Sequence, residues 1–106
     1  MPELLIVAEL HPQHGGDMGL IREMIRVAKL NGADICKFQL YDAVALLGSD
    51  QWRYLELTQA QTAQIKQWCE EDDVEFMASV FDHERLGWYE SLGVRRYKIA
   101  SRTVMG

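Results

Sequence analysis

Ile35-Cys36-Lys37-Phe38-Gln39 is the stretch on which the reading of this chain turns. As a strand, it puts Ile35, Lys37 and Gln39 on one face and Cys36 and Phe38 on the other, because strand side chains alternate. A buried ammonium group costs several kcal/mol unless an anion pairs with it. One face of this strand therefore suits an apolar core and the other suits chemistry. The neighbouring segments repeat the pattern. Leu4-Leu5-Ile6-Val7-Ala8, ending at Glu9, reads as a buried parallel strand. Strands are also expected over 74–79 and 96–100.

Helices fill the intervals. Leu20, Ile21, Met24, Ile25 and Ala28 recur at helical spacing, and Asn31-Gly32 stops that helix. A long connection over 40–57 follows, with a turn at Gly48-Ser49-Asp50. Thr58 and Gln61 have capping-box spacing and open a helix carrying Ala63, Ile65, Trp68 and Cys69. Residues 70–73 read as a solvated acidic turn. Asp82 can cap a helix with Leu86, Tyr89 and Leu92 on its apolar stripe and Gly93 as its stop. The order β-α-β-α-β-α-β means an α/β fold, a parallel sheet with crossover helices, in one domain over 1–106. Either an open doubly wound sheet or a closed barrel satisfies it. Neither the dinucleotide-binding glycine fingerprint nor the P-loop is present.

The faces of the four strands agree with one another. Leu5, Val7 and Glu9 share a face with Ile35, Lys37 and Gln39, with Glu75, Met77 and Ser79, and with Arg96, Lys98 and Ala100. The other face (Ile6, Ala8, Cys36, Phe38, Val74, Phe76, Ala78, Tyr97 and Ile99) is nearly all apolar and should pack against the helices. Glu9, Lys37, Gln39, Ser79 and Lys98 lie toward the C-terminal ends of the strands, where parallel α/β proteins build their sites. Glu9 can partner one lysine, and a phosphate or carboxylate ligand can satisfy both. An internal Glu–Lys network without a ligand satisfies the same pattern.

Composition narrows the partners. The 106 residues carry a net charge of -5, 48% are apolar and 25% are charged. That balance fits a folded domain and disfavours nucleic acid or an anionic membrane as partner. No leader segment or membrane span is expected. Cys36 and Cys69 read as reduced core thiols, which suits a cytoplasmic protein. His11 and His14 are two imidazoles three apart, too few for a metal site, so none is assigned here. Gly15-Gly16 before a helix can offer N–H groups to an anion or can simply be a turn.

On these residues the chain resembles the sialic acid synthase family. Ala8-Glu9 followed by His14, Gly16 and Asp17 resembles the family's Ala-Glu … Asn-His-Asn-Gly-Asp opening. Gly32-Ala33-Asp34 leading into Lys37-Phe38-Gln39 resembles its second strand. Leu55-Glu56-Leu57 also fits the family pattern. Ala78-Ser79-Val80-Phe81-Asp82 resembles its Ser-Thr-Pro-Phe-Asp, and Tyr97-Lys98-Ile99-Ala100-Ser101 matches its Tyr-Lys-Ile-Ala-Ser. Val80 stands where the family has proline, and Arg102-Thr103 stand where it has a glycine and an acidic residue.

The resemblance implies a fold: four β/α units of a TIM (β/α)8 barrel, that is, a half barrel. It also implies a reaction, in which phosphoenolpyruvate condenses with an N-acylated amino sugar such as N-acetylmannosamine. The product is a nine-carbon 2-keto sugar acid, and phosphate is released. Glu9, Lys37 and Lys98 would be catalytic, and Gln39, Ser79, Asp82, Ser101 and His14 would bind substrate. A divalent metal, Mn2+ or Mg2+, would be held by residues outside this chain. The alternative is a non-catalytic, oligomerising half barrel that keeps an anion pocket. With four strands and an open inner face, the chain alone is expected to be inactive and to self-associate as a dimer, since Leu5, Val7, Ile35 and Met77 would otherwise face water.

Overall fold

The structure, a computed structural model, describes residues 4–94 and the backbone of 98–99. The described elements run β1 (Val7–Glu9), α1 (Met18–Leu30), β2 (Ile35–Leu40), α2 (Ala43–Leu47), a 3-10 helix (Asp50–Leu55), α3 (Gln59–Glu71), β3 (Glu75–Val80), α4 (His83–Ser91) and β4 (Lys98–Ile99). The strands form one sheet in the order β1-β2-β3-β4, every pair parallel. A doubly wound sheet reverses its strand order at a switch point. Sequential order without a reversal is the order of a barrel.

Helix starts follow their caps. Asp17 accepts from the Leu20 N–H at the head of α1. Thr58 and Gln61 form the reciprocal capping box expected for α3. Asp82 accepts from the Arg85 N–H at the head of α4. The connection over 40–57 is more ordered than its sequence suggests. Asp42 accepts from the Val44 and Ala45 N–H groups and starts α2, which ends at Gly48 in the left-handed region (φ 73°). Ser49 then caps the 3-10 helix. Elements this short carry too little periodicity to be seen in a sequence.

One face of the sheet is sealed. Cys36, Phe38, Leu40, Phe76, Ala78 and Val80 are buried with Ile21 and Ile25 of α1, Ile65 and Cys69 of α3 and Tyr89 of α4. Phe38 stacks on Phe76 with ring centroids 5.7 Å apart, and the Tyr89 hydroxyl accepts from the Ala78 N–H at 2.9 Å. The aligned register, Ala8↔Cys36 and Cys36↔Phe76, puts these side chains in common layers.

Two expectations are corrected. The first strand is not a buried strand over 4–8: β1 spans only Val7–Glu9, Leu4 is 91% exposed, and Leu5, Ile6 and Val7 are exposed. β1 lies at the sheet edge with β2 as its one described neighbour, so a single strand shields it. Ile35, expected to face water, is 2% exposed. β2 is flanked on both sides, by Val7 and Glu75 in register, and that crowding covers it. The rest of the expected strand over 96–100, Ser101 and Arg102-Thr103 lie outside the described residues.

Candidate active site

Strand parity and register gather the polar side chains of the open face. Glu9 pairs in register with Lys37, and Lys37 with Met77. The Lys37 ammonium lies 3.6 Å from Glu9 Oε2, with the lysine side chain 21% exposed and the glutamate 40%. Glu9 Oε1 also accepts from the His11 N–H at 3.3 Å, which fixes the carboxylate at the mouth of the β1–α1 loop. One layer nearer the strand ends, Gln39, Ser79 and Lys98 stand in register. Neighbouring strands are about 4.8 Å apart, so the Cα atoms of Gln39 and Lys98 are about 10 Å apart with Ser79 between them. Ser79 is buried, and of Lys98 the backbone alone is described. The sheet therefore holds an ion pair in one layer and an amide, a hydroxyl and the lysine position in the next.

The β1–α1 loop brings up a second group. His14 is fully buried beside Phe38, a side chain of the covered face, with ring centroids 6.4 Å apart. Its Nδ1 accepts from the Gly16 N–H at 2.8 Å, so the neutral ring carries its hydrogen on Nε2, which has no partner among the described residues. The Gly16 N–H is thereby committed to the turn. Gly16 itself sits at φ 75°, and a Cβ there would fall 1.8 Å from the Tyr54 carbonyl oxygen, so only glycine fits. The His11 ring stands edge-on to His14 at 5.5 Å and to Tyr41 at 5.4 Å. Burial, helped by His14, pushes the His11 imidazole down to about 4, and burial also lowers His14. Both rings are neutral at pH 7.

Asp82 does structural work. Its Oδ1 accepts from the Arg85 N–H at 2.7 Å, and its Oδ2 pairs with Arg85 Nη1 at 2.9 Å. The nearly buried Arg85 guanidinium also lies 3.7 Å from Glu56 and over the Trp88 ring at 4.8 Å. Glu56 accepts in turn from the Ala43 N–H at 2.9 Å. This clamp ties the β2–α3 connection to the start of α4. Sequence reasoning passed over Arg85. The spacing of Asp82 and Arg85 was a local signal, but the approach of Glu56 is tertiary.

Among the described residues no three His, Cys, Asp or Glu side chains gather as metal ligands. A cavity of about 430 Å3 lined by Asp34, Lys66, Glu75 and Val94 opens at the other end of the sheet. In parallel α/β barrels that end serves stability.

Comparison with known proteins gives the family and the fold. The NeuB family model matches residues 24–106. N,N'-diacetyllegionaminic acid synthase of Legionella pneumophila is 30% identical over 91% of this chain and 32% of its own length. Human N-acetylneuraminate-9-phosphate synthase is likewise 30% identical, with the same coverage of both chains. The chain thus spans about a third of the length of the curated relatives it matches. A crystal structure of N-acetylneuraminic acid (sialic acid) synthetase from Leptospira borgpetersenii, in complex with citrate, superposes with a TM-score of 0.87. It is 28% identical, over 94% of this chain and 37% of that one. The described strands and helices are thus part of the (β/α)8 barrel of sialic acid synthases, and the chain belongs to the NeuB family.

Proposed function

We propose that this chain supplies the phosphoenolpyruvate-binding part of an enzyme that joins phosphoenolpyruvate to an N-acylated amino sugar. The product is a nine-carbon 2-keto sugar acid, and phosphate leaves. The observation that carries the reading is the Glu9–Lys37 ion pair, set on the open face at the C-terminal strand ends of a NeuB family member. Lys37 and Lys98, with the hydroxyls of Ser79 and Ser101, hold the phosphate and carboxylate. An enol phosphate carries charge at both ends, and two lysine positions in adjacent layers of the sheet match it better than one. Lys37 keeps Glu9 as its counter-ion when the site is empty, so no lone charge is left half-buried. Glu9 contacts the amino sugar beside the phosphoenolpyruvate, and Gln39 lines the site. His14 and Asp82, expected as substrate-binding residues, act from behind it: buried His14 shapes the β1–α1 loop, and Asp82 is held by Arg85. A divalent metal, Mn2+ or Mg2+, is held by residues outside this chain.

The setting is cytoplasmic, which the free thiols of Cys36 and Cys69 support. Among the described residues, no helix is long and apolar enough to cross a membrane. Taken alone, the chain pairs with a second copy, because β1 offers an open edge and its flank is apolar. The test of the main reading is calorimetry of phosphoenolpyruvate binding to the longer protein that contains this chain. Lys98→Ala is expected to weaken binding by about 2 kcal/mol or more, the scale for losing a charged partner at a desolvated site. Unchanged affinity would leave an internal Glu–Lys network as the better reading of the lysines.

A further inference from the structure

The proposed function gives the His11 side chain no role, although the main chain at this residue touches the site. The peptide that joins Leu10 to His11 is used at both ends. Its carbonyl accepts from the His14 N–H at 3.2 Å, and its N–H donates to Glu9 Oε1 at 3.3 Å. Glu9 Oε2 lies 3.6 Å from the Lys37 ammonium. One carboxylate oxygen thus meets the lysine and the other meets this peptide. Leu10 is fixed, because it is buried and its N–H donates to the Lys37 carbonyl at 3.0 Å. The aim of the next N–H depends on what holds residue 11.

The His11 ring is what holds it. It stands edge-on to His14 at 5.5 Å and to Tyr41 at 5.4 Å, with the Tyr41 hydroxyl 3.4 Å from its Nε2. Both walls are anchored in turn. His14 is fully buried against Phe38 and accepts from the Gly16 N–H. Tyr41 is buried with Ala43 and Leu55 and stands edge-on to Phe81 at 6.0 Å. Phe81, Tyr41, His11 and His14 therefore form a row of rings from the β3–α4 turn, past the end of β2, to the β1–α1 loop.

We propose that His11 is a positioning residue for Glu9: its ring, wedged between His14 and Tyr41, aims the residue-11 N–H at the carboxylate and so sets the group that meets the amino sugar. This rests on the proposed contact of Glu9 with that sugar. An ammonium group on a flexible stem attracts a carboxylate without fixing its angle, and a held backbone N–H supplies the direction. Burial pushes the His11 imidazole down to about 4, so at pH 7 the neutral ring holds the loop without competing with Lys37 for Glu9. A small side chain at position 11 would leave a gap between His14 and Tyr41 and let the peptide turn.

The test uses the longer protein that contains this chain, with phosphoenolpyruvate and N-acetylmannosamine as substrates. His11→Ala is expected to lower kcat/KM for the sugar about tenfold, the scale of losing a hydrogen bond to a charged group, while phosphoenolpyruvate affinity by calorimetry stays within about twofold. His11→Phe keeps both edge contacts and is expected to restore kcat/KM to within about threefold of wild type. Crystal structures of the variants need no substrate: Glu9 Oε1 should part from the residue-11 N–H in His11→Ala and stay bonded to it in His11→Phe. A Glu9 carboxylate that keeps its place in His11→Ala would overturn the proposal. So would an equal loss of sugar and phosphoenolpyruvate binding, the mark of a loop that has merely loosened. So, too, would an unchanged kcat/KM in His11→Ala beside a loss in Glu9→Gln. If Glu9→Gln itself leaves the sugar's kcat/KM unchanged, the contact of Glu9 with the sugar fails, and the crystal structures still decide what His11 does.

Discussion

The two faces of one sheet obey opposite rules. On the covered face, Cys36, Phe38, Leu40, Phe76, Ala78 and Val80 are all buried against helices. On the open face, Val7, Glu9, Lys37, Gln39 and Met77 keep part of their surface in water. The same backbone carries both, so side-chain parity sets the difference, and strand neighbours override it at Ile35 and Ser79, buried on the open face, and at Ile6, exposed on the other. The covered face holds the fold together, and the open face keeps the groups that chemistry needs. Substitutions on the two faces should therefore cost different things.

The largest effect is expected at the centre of the covered face. Phe76 is buried between Phe38 and Tyr89, with ring centroids 5.7 and 5.8 Å away. Phe76→Ala is expected to cost about 3–5 kcal/mol in urea denaturation, the range for emptying an aromatic site in a core. Val7→Ala, on the exposed edge strand, should stay within about 0.5 kcal/mol. Comparable losses at the two positions would break the contrast between the faces.

Next comes self-association, which the open face and edge drive. α1 carries an apolar groove of about 380 Å3 lined by Leu10, Leu20, Met24, Val27 and Ala28, and β1 has β2 as its one described strand neighbour. Burying exposed Leu and Val side chains gains roughly 1.5–3 kcal/mol each. The chain alone should therefore sediment as a dimer at micromolar concentration, and Val27→Glu should shift it toward monomer. A wild-type chain that stays monomeric would show that water tolerates this flank.

The Arg85 clamp joins the β2–α3 connection to the start of α4. Arg85→Met removes the partner of Asp82 and Glu56 and is expected to destabilise by about 2 kcal/mol, because two carboxylates then lose a partly buried counter-charge. Thermal denaturation reads it, and a loss under about 0.5 kcal/mol would make the clamp a surface ornament.

The buried histidines give a smaller, pH-dependent effect. His11 falls from an ordinary value of 6.5 to about 4 in the folded chain. The unfolded chain therefore binds more protons between those values. The stability contributed by the neutral ring is complete above about pH 6.5 and is lost as the pH falls toward 4, on the order of 1–3 kcal/mol in all. His11→Gln should flatten the stability profile across that window. An unchanged profile would mean that other groups govern acid unfolding.

Much of this was legible from residue order. The Thr58–Gln61 box, the Asp82 cap and the parity of β2 and β3 each rest on local chemistry that survives into the fold. What stayed hidden was tertiary or very short. α2 spans Ala43–Leu47, too brief for a helical period to register. The link from Glu56 to Arg85 depends on how the chain returns. The exposure of Leu4 and Ile6 depends on strand neighbours, which an apolar run cannot reveal by itself.

The most direct measurement is the phosphoenolpyruvate affinity of the longer protein carrying Lys37→Met, beside a core control, Ile21→Val. Lys37 lies on the open face with Glu9 at 3.6 Å, and Ile21 is fully buried under the other face. Loss of the ammonium group is expected to weaken binding at least tenfold, which is about 1.4 kcal/mol, while the control stays within about twofold. Equal affinity in both variants would contradict the assignment of the open face as the anion site.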